Sequence, residues 1–274
     1  IRYLVRSRGL GDVYKRQNVS SPMRGWRQPG QIVSPTTTLN KDKATKRVAT
    51  SSKEVSASAE QEKTTEKVDR QIVEFCCGNN SILGTPSKQS RGCGSIRITQ
   101  QIDARSAEGI QMALKAVETP NTLLWAAMPC TGGSTWQRLN IKRRGVAKKI
   151  RAHIRLFNQL FIVFKRVATH ALKHNNHVAV EWPRHCSYWK LKKVYKLFKD
   201  LGLETALFDG CALGIVSKID GRPIRKPWRV DSSCTELVTT LNKHKCPGHK
   251  EHAPCQGQDT KATENYSKHM AAVV

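Results

Sequence analysis

Apolar positions gather into short runs and periodic stretches between Arg70 and Val230, and the patterns alternate in type. "QIVEFCC" (71–77) is a short apolar run that stops at "GNNS", as a strand stops at a turn. "GSIRITQQ" (94–101) reads as a second strand. "SAEGIQMALKAVE" (106–118) sets Ile110, Leu114 and Val117 on one helical face, with Ser106 as N-cap and Pro120 past the stop. "TLLWAAM" (122–128) reads as a buried strand. The clearest helix follows at 145–174. There Val146, Ile150, Ile154, Phe157, Phe161, Phe164 and Val167 recur at three and four, opposite Lys148, Arg151, Arg155, Lys165 and Arg166. "HVAVEWP" (177–183) is a strand ended by proline, and "YWKLKKVYKLFKDLG" (188–202) is a helix with Gly202 at its C-terminal cap. The segments 204–218 and 222–230 form a hairpin pattern about Asp220-Gly221.

Strands parted by helices predict βαβ units. The expected fold is α/β: a Rossmann-like, mostly parallel sheet flanked by helices, over residues 70–230. Residues 18–69 are rich in Ser, Thr, Lys, Glu and Gln. They hold too little apolar surface to offset their ordering entropy and are expected to form a disordered basic and polar arm. Ser7–Gln17, "SRGLGDVYKRQ", resembles the in-frame translation of a transposase sequencing adapter. Residues 1–17 are therefore set aside as an assembly artefact. Residues 231–274 read as a Cys/His-containing extension.

Charge changes the picture next. Lys and Arg number 47 against 21 Asp and Glu, a net charge of +26, which predicts a polyanionic partner and most simply nucleic acid. Arg138, Lys142, Arg143, Arg144, Arg222, Arg225 and Lys226 are the expected contacts, with neighbouring tryptophans available for stacking. Nine cysteines, an odd number without a secreted-domain framework, predict free thiols in a reducing, intracellular and nuclear setting. No membrane association is expected, because the most apolar stretch, 156–164, is short and bounded by Arg155 and Lys165. In "CPGHKEHAPC", Cys246, His249, His252 and Cys255 follow one another at intervals of two intervening residues. All four are zinc-ligand types, and the other reading is a polar loop. Oligomeric state is left open.

Three strands end in chemically loaded turns: "CCGNNS", "PCTGGS" and "EWPRHC". Parallel strands end at one rim, where ligands bind, so these turns are expected to share a cleft. Their order resembles the catalytic core of the C5-cytosine methyltransferases, and still more a methyltransferase-like cassette of mobile-element polyproteins, over 72–228. The resemblance implies a Rossmann-like domain that uses S-adenosylmethionine to methylate cytosine C5 in nucleic acid. It implies Cys130 as nucleophile at C6 and Glu181 as the carboxyl group that holds and protonates N3. It implies a cofactor turn built from Glu74, Gly78, Asn79, Asn80 and Ser81, with Asp103 on the ribose hydroxyls. Departures are Met128 before Pro129, Trp182 after Glu181, fewer glycines in the first turn, no clean late Gln-x-Arg, and little chain for a target-recognition domain. A buried apolar Cys130 and an ion-paired Glu181 are the plain structural alternatives. The chain is then an enzyme, a degenerate non-catalytic nucleic-acid-binding module, or a zinc-stabilised interaction domain.

Overall fold

Continuous apolar runs need burial on both faces, which parallel strands covered by helices provide. The computed structural model describes residues 69–85, 88, 90, 92–99 and 101–274, without the side chains of Arg138 and Leu139. The adapter-like stretch and, apart from Asp69, the polar arm lie outside these residues. In chain order the elements are β1 (Arg70–Phe75), β2 (Cys93–Ile98), α1 (Ala107–Ala116), β3 (Thr122–Ala126), α2 (Thr135–Asn140) and α3 (Val146–Lys173). Then come β4 (His177–Pro183), α4 (Lys192–Asp200), β5 (Glu204–Asp209), β6 (Pro227–Ser232), α5 (Thr235–Asn242), α6 (Gln258–Ala262) and α7 (Lys268–Val273). Among the described residues no helix is long and apolar enough to cross a membrane.

The six strands form one mostly parallel α/β sheet in the order β2-β1-β3-β4-β6-β5. The pairs β1/β2, β1/β3 and β3/β4 are parallel, while β6 runs antiparallel between β4 and β5. The expected hairpin thus exists at two levels. β5 and β6 pair along their length, and inside their connection Val216 bridges Pro223 about a turn in which Gly221 has φ +71°. The chain leaves β1 for β2 on one side and returns through α1 to β3 on the other. This places the topological switch, and the crevice such sheets offer to ligands, beyond the carboxyl ends of β1 and β3.

Alternation along the strands divides the core into two layers. Val73, Phe75, Leu124, Ala126, Val178, Val180 and Trp182 pack with α1, α3 and α4. Ile72, Trp125, Ala179, Phe208, Trp228 and Val230 pack on the opposite face with Leu237, Val238 and Leu241 of α5 and Met270 of α7. Residues after 230 therefore build the second layer and are not set apart from the domain. On α3, Ile150, Phe157, Phe161, Phe164 and Val167 are buried as the periodicity predicts. Ile154, 38% exposed, and Val146, half-buried, are the exceptions, and the turn at 131–133 approaches Ile154.

Ser106 caps α1 by accepting from the Gly109 N–H at 2.9 Å. The loop from α1 into β3 is held by Asn176, which is buried just before β4. Its amide oxygen accepts from Thr122 N, and its amide nitrogen donates to the carbonyls of Val117 and Thr119, each at 2.8 Å. Asn176→Ala leaves these backbone groups without their side-chain partner, which is expected to destabilise the domain by about 2–4 kcal/mol. A urea midpoint unchanged from the parent chain would contradict this.

Candidate active site

Cys130 stands four residues past the last residue of β3. It opens a short 3-10 turn, Thr131–Gly133, in which Gly133 N donates to the Cys130 carbonyl at 2.9 Å. The two glycines are fixed by packing. A Cβ on Gly132 would stand 2.4 Å from the Tyr188 hydroxyl, and one on Gly133 would stand 2.7 Å from Cys186 Sγ. Tyr188 is itself immovable, stacked on Phe157 at 3.8 Å between centroids. The turn is anchored to β4 by Trp182, whose indole N–H donates to the Met128 carbonyl at 2.8 Å. The two departures flanking Pro-Cys and Glu are therefore partners.

Glu181 lies near the end of β4 on the second face of the sheet. Tyr266, from the segment between α6 and α7, donates its hydroxyl to Glu181 Oε2 at 3.2 Å. The Trp125 indole N–H of β3 donates to that same hydroxyl at 2.9 Å. Burial raises the Glu181 carboxyl above the ordinary carboxylate range, against the opposing pull of Lys226 and the Tyr266 bond. Burial pushes the Tyr266 phenol well up too, so it stays a donor. The charge of Glu181 acts directly on Cys130, and so does that of Lys226. Cys130 and Glu181, beyond and near the ends of the adjacent parallel strands β3 and β4, thus lie within electrostatic reach of one another.

Lys226 is a correction. Expected on a nucleic-acid surface, it folds inward. Its Nζ donates to the Thr263 carbonyl and lies 4.9 Å from the Trp228 ring centroid. Burial lowers its pKa, while Glu181 and Cys130 hold it up. It is a cation whose charge acts on the thiol. Lys142, Arg143 and Arg144 are instead exposed. Arg222 is paired with Asp220 at 2.8 Å and Glu251 at 3.3 Å, and Arg225 reaches Asp209 at 3.5 Å.

The turn after β1 begins with strain: Cys76 has φ +65°, rarely adopted by a residue with a side chain. Gly78, Asn79 and Asn80 are exposed, and a Cβ on Gly78 would meet nothing within 4 Å. Glu74 does not line open space. It is fully buried, takes Arg97 Nε at 3.0 Å and accepts from the Ser81 hydroxyl. Asp103 lies close enough to Cys76 to act on its thiol, but its carboxylate is gripped by Arg105 Nε and Nη2 at 2.9 and 2.7 Å. A cavity of about 450 Å³ opens beside it, lined by Asp103, Arg105, Ser106, Gln159, Ile162 and Val163. Another of about 450 Å³ runs between α1 and α3, and neither is lined by Cys130, Glu181 or Gly78.

All nine cysteines are unbridged. Of the four zinc-type residues expected together, Cys246, His249 and His252 converge, but Cys255 does not join them. Its sulfur lies 3.3 Å from Thr263 Oγ1, and the fourth member of the cluster is Cys211. Cys211, Tyr188 and Tyr266 were missed in the sequence because long-range packing alone brings them in. Tyr188 is notable as a buried hydroxyl with no hydrogen-bond partner. No protein-family model matches the chain, and no curated protein matches it significantly.

Burial pushes the Cys130 thiol up to about 12, with Cys186 and Glu181 adding to the rise. Below that value the thiolate fraction grows about tenfold per pH unit. Alkylation of Cys130 by iodoacetamide, followed by peptide mass spectrometry, should therefore climb steeply from neutral pH to about pH 10. A plateau near neutrality would contradict the assigned environment.

Proposed function

We propose that this chain methylates C5 of cytosine in nucleic acid, with S-adenosylmethionine as methyl donor and Cys130 as nucleophile. The observation that carries the reading is the placement of Cys130 past the end of β3 and of Glu181 near the end of the adjacent parallel strand β4, within electrostatic reach of each other and beside the switch point of the sheet. Cys130 gives up its proton and its sulfur bonds to C6, which sends the C5–C6 π electrons to C5. Glu181, whose carboxyl is raised in pKa by burial, donates a proton to N3 as charge develops on the ring. Lys226 opposes the rise of the thiol and steadies the thiolate. S-adenosylmethionine supplies the electrophilic methyl group when bound. The Gly78 turn, with open space above it and Asn79 and Asn80 beside it, fits that group better than Glu74 does, whose carboxylate is already taken. A water molecule then takes the C5 proton, its bonding electrons restore the C5–C6 double bond, the C6–S bond breaks with Cys130 leaving as thiolate, and N3 returns its proton to Glu181.

One observation favours a second reading, a non-catalytic nucleic-acid-binding module. The thiol is pushed up to about 12, far from the activated range of most nucleophilic cysteines. A C5-fluorocytosine oligonucleotide separates the two. Fluorine cannot leave as a proton does, so a methylating enzyme stays covalently joined to it. With S-adenosylmethionine present, the parent chain should form a denaturation-resistant adduct at Cys130, and Cys130→Ser should form none. Cofactor binding by calorimetry without adduct, or neither, would reject the enzyme.

Either reading needs a phosphate-binding surface. Replacing Lys142, Arg143 and Arg144 together by Ala should lower the slope of log affinity against log salt by about 2–3. Fluorescence anisotropy with a labelled duplex and a labelled single strand measures it. An unaltered slope on both would remove this loop from the interface.

A further inference from the structure

We infer that Cys211, Cys246, His249 and His252 form a structural zinc site that fastens the connection between β5 and β6 to the segment following α5. The four residues each present one ligand atom, and these atoms all lie within 4.8 Å of one another. Cys246 Sγ stands 3.7 Å from His249 Nδ1 and 3.4 Å from His252 Nε2. Zinc bonds of about 2.3 Å to sulfur and 2.0–2.1 Å to nitrogen, at tetrahedral angles, put ligand atoms about 3.3–3.8 Å apart. The observed spacings fall in that range. The imidazoles cross at 89° with centroids 5.4 Å apart, so two ring nitrogens meet the sulfur without the rings stacking.

Sequence spacing now makes sense. A run of four ligands at intervals of two would have to wrap one ion by itself. Three from that run and one from 35 residues upstream give the usual two-sided arrangement, with a long loop between. Cys211 sits on the 3-10 turn Gly210–Leu213 that follows β5, and it is buried. The opposing strap is already docked there. Asp209 N donates to the His244 carbonyl at 2.9 Å, and Cys246 N donates to Asp209 Oδ2 at 3.1 Å. Two thiolates and two imidazoles select zinc among abundant divalent ions, and four protein ligands leave no open position for catalysis. A disulfide between Cys211 and Cys246 would leave the convergence of both imidazoles without a cause. The other cluster of metal-ligand types, Glu118, His170 and His174, is accounted for by the His170–Glu118 ion pair at 3.0 Å on the surface.

The inference is independent of the methylation reading, since its readout is bound metal. The full chain, purified under reducing conditions from zinc-supplemented medium, should contain one zinc per chain by plasma mass spectrometry. Cys255→Ser should keep it, and Cys211→Ser should drop to under about a tenth of it. Cobalt loaded in place of zinc should give the strong visible absorption of a tetrahedral ion and a sulfur charge-transfer band. Both should persist in Cys255→Ser, which serves if Cys211→Ser does not fold. No metal in the parent chain after reconstitution, metal retained by Cys211→Ser, or metal and cobalt bands lost in Cys255→Ser would each overturn the site.

Discussion

A carboxyl group half-buried near the end of an inner strand has to be supplied with partners, and Glu181 draws them from far along the chain. Burying an ionised carboxylate alone costs several kcal/mol, so the group either protonates or is paired. Both responses are visible. Its pKa is raised, and Lys226 and Tyr266 converge on it. Tyr266 in turn is held by Trp125, and the Lys226 ammonium by the Thr263 carbonyl. One buried acid thus ties β3, β4, the β5–β6 connection and the C-terminal segment into a single unit. That is the physical reason the residues after 230 cannot be separated from the sheet.

The same burial sets the chemistry. Desolvation raises the pKa of both the thiol and the carboxyl group, and the charge of Glu181 adds to the rise at Cys130. Lys226 opposes both shifts. The partnerless Tyr188 hydroxyl, buried beside the Cys130 turn, is consistent with a site that gains a polar partner when occupied.

How much of this the sequence disclosed follows from range. β1, β3 and β4 are apolar runs with turn chemistry at their ends, so local pattern places them, and with them Cys130 and Glu181. The long helix follows from periodicity, and only Val146 and Ile154 of its predicted face fall short of full burial, near the end where the helix begins. The Gly-Gly after Cys130 records the close approach of Tyr188 and Cys186, from a turn more than fifty residues later. Lys226 looked like a surface cation because its neighbours in sequence are cations. Its burial depends on Glu181, which only the antiparallel insertion of β6 brings near. Cys211 was invisible for the same reason: nothing local marks a cysteine whose companions lie beyond the next strand and helix.

The basic surface admits a sharper argument than net charge. The first turns of α3 carry Lys148, Lys149 and Arg151 and no acidic residue, directly after the exposed Lys142–Arg144 loop. Cations there oppose the helix dipole and cost stability, up to roughly 1 kcal/mol each at an exposed site. A solvated helix face with no partner would gain by placing them at the other end. Phosphate groups laid across that terminus would reverse the sign of the interaction, with backbone N–H groups and side chains both favouring the anion. The turn that follows Cys130 packs on α3 at Ile154, about two helical turns from that terminus.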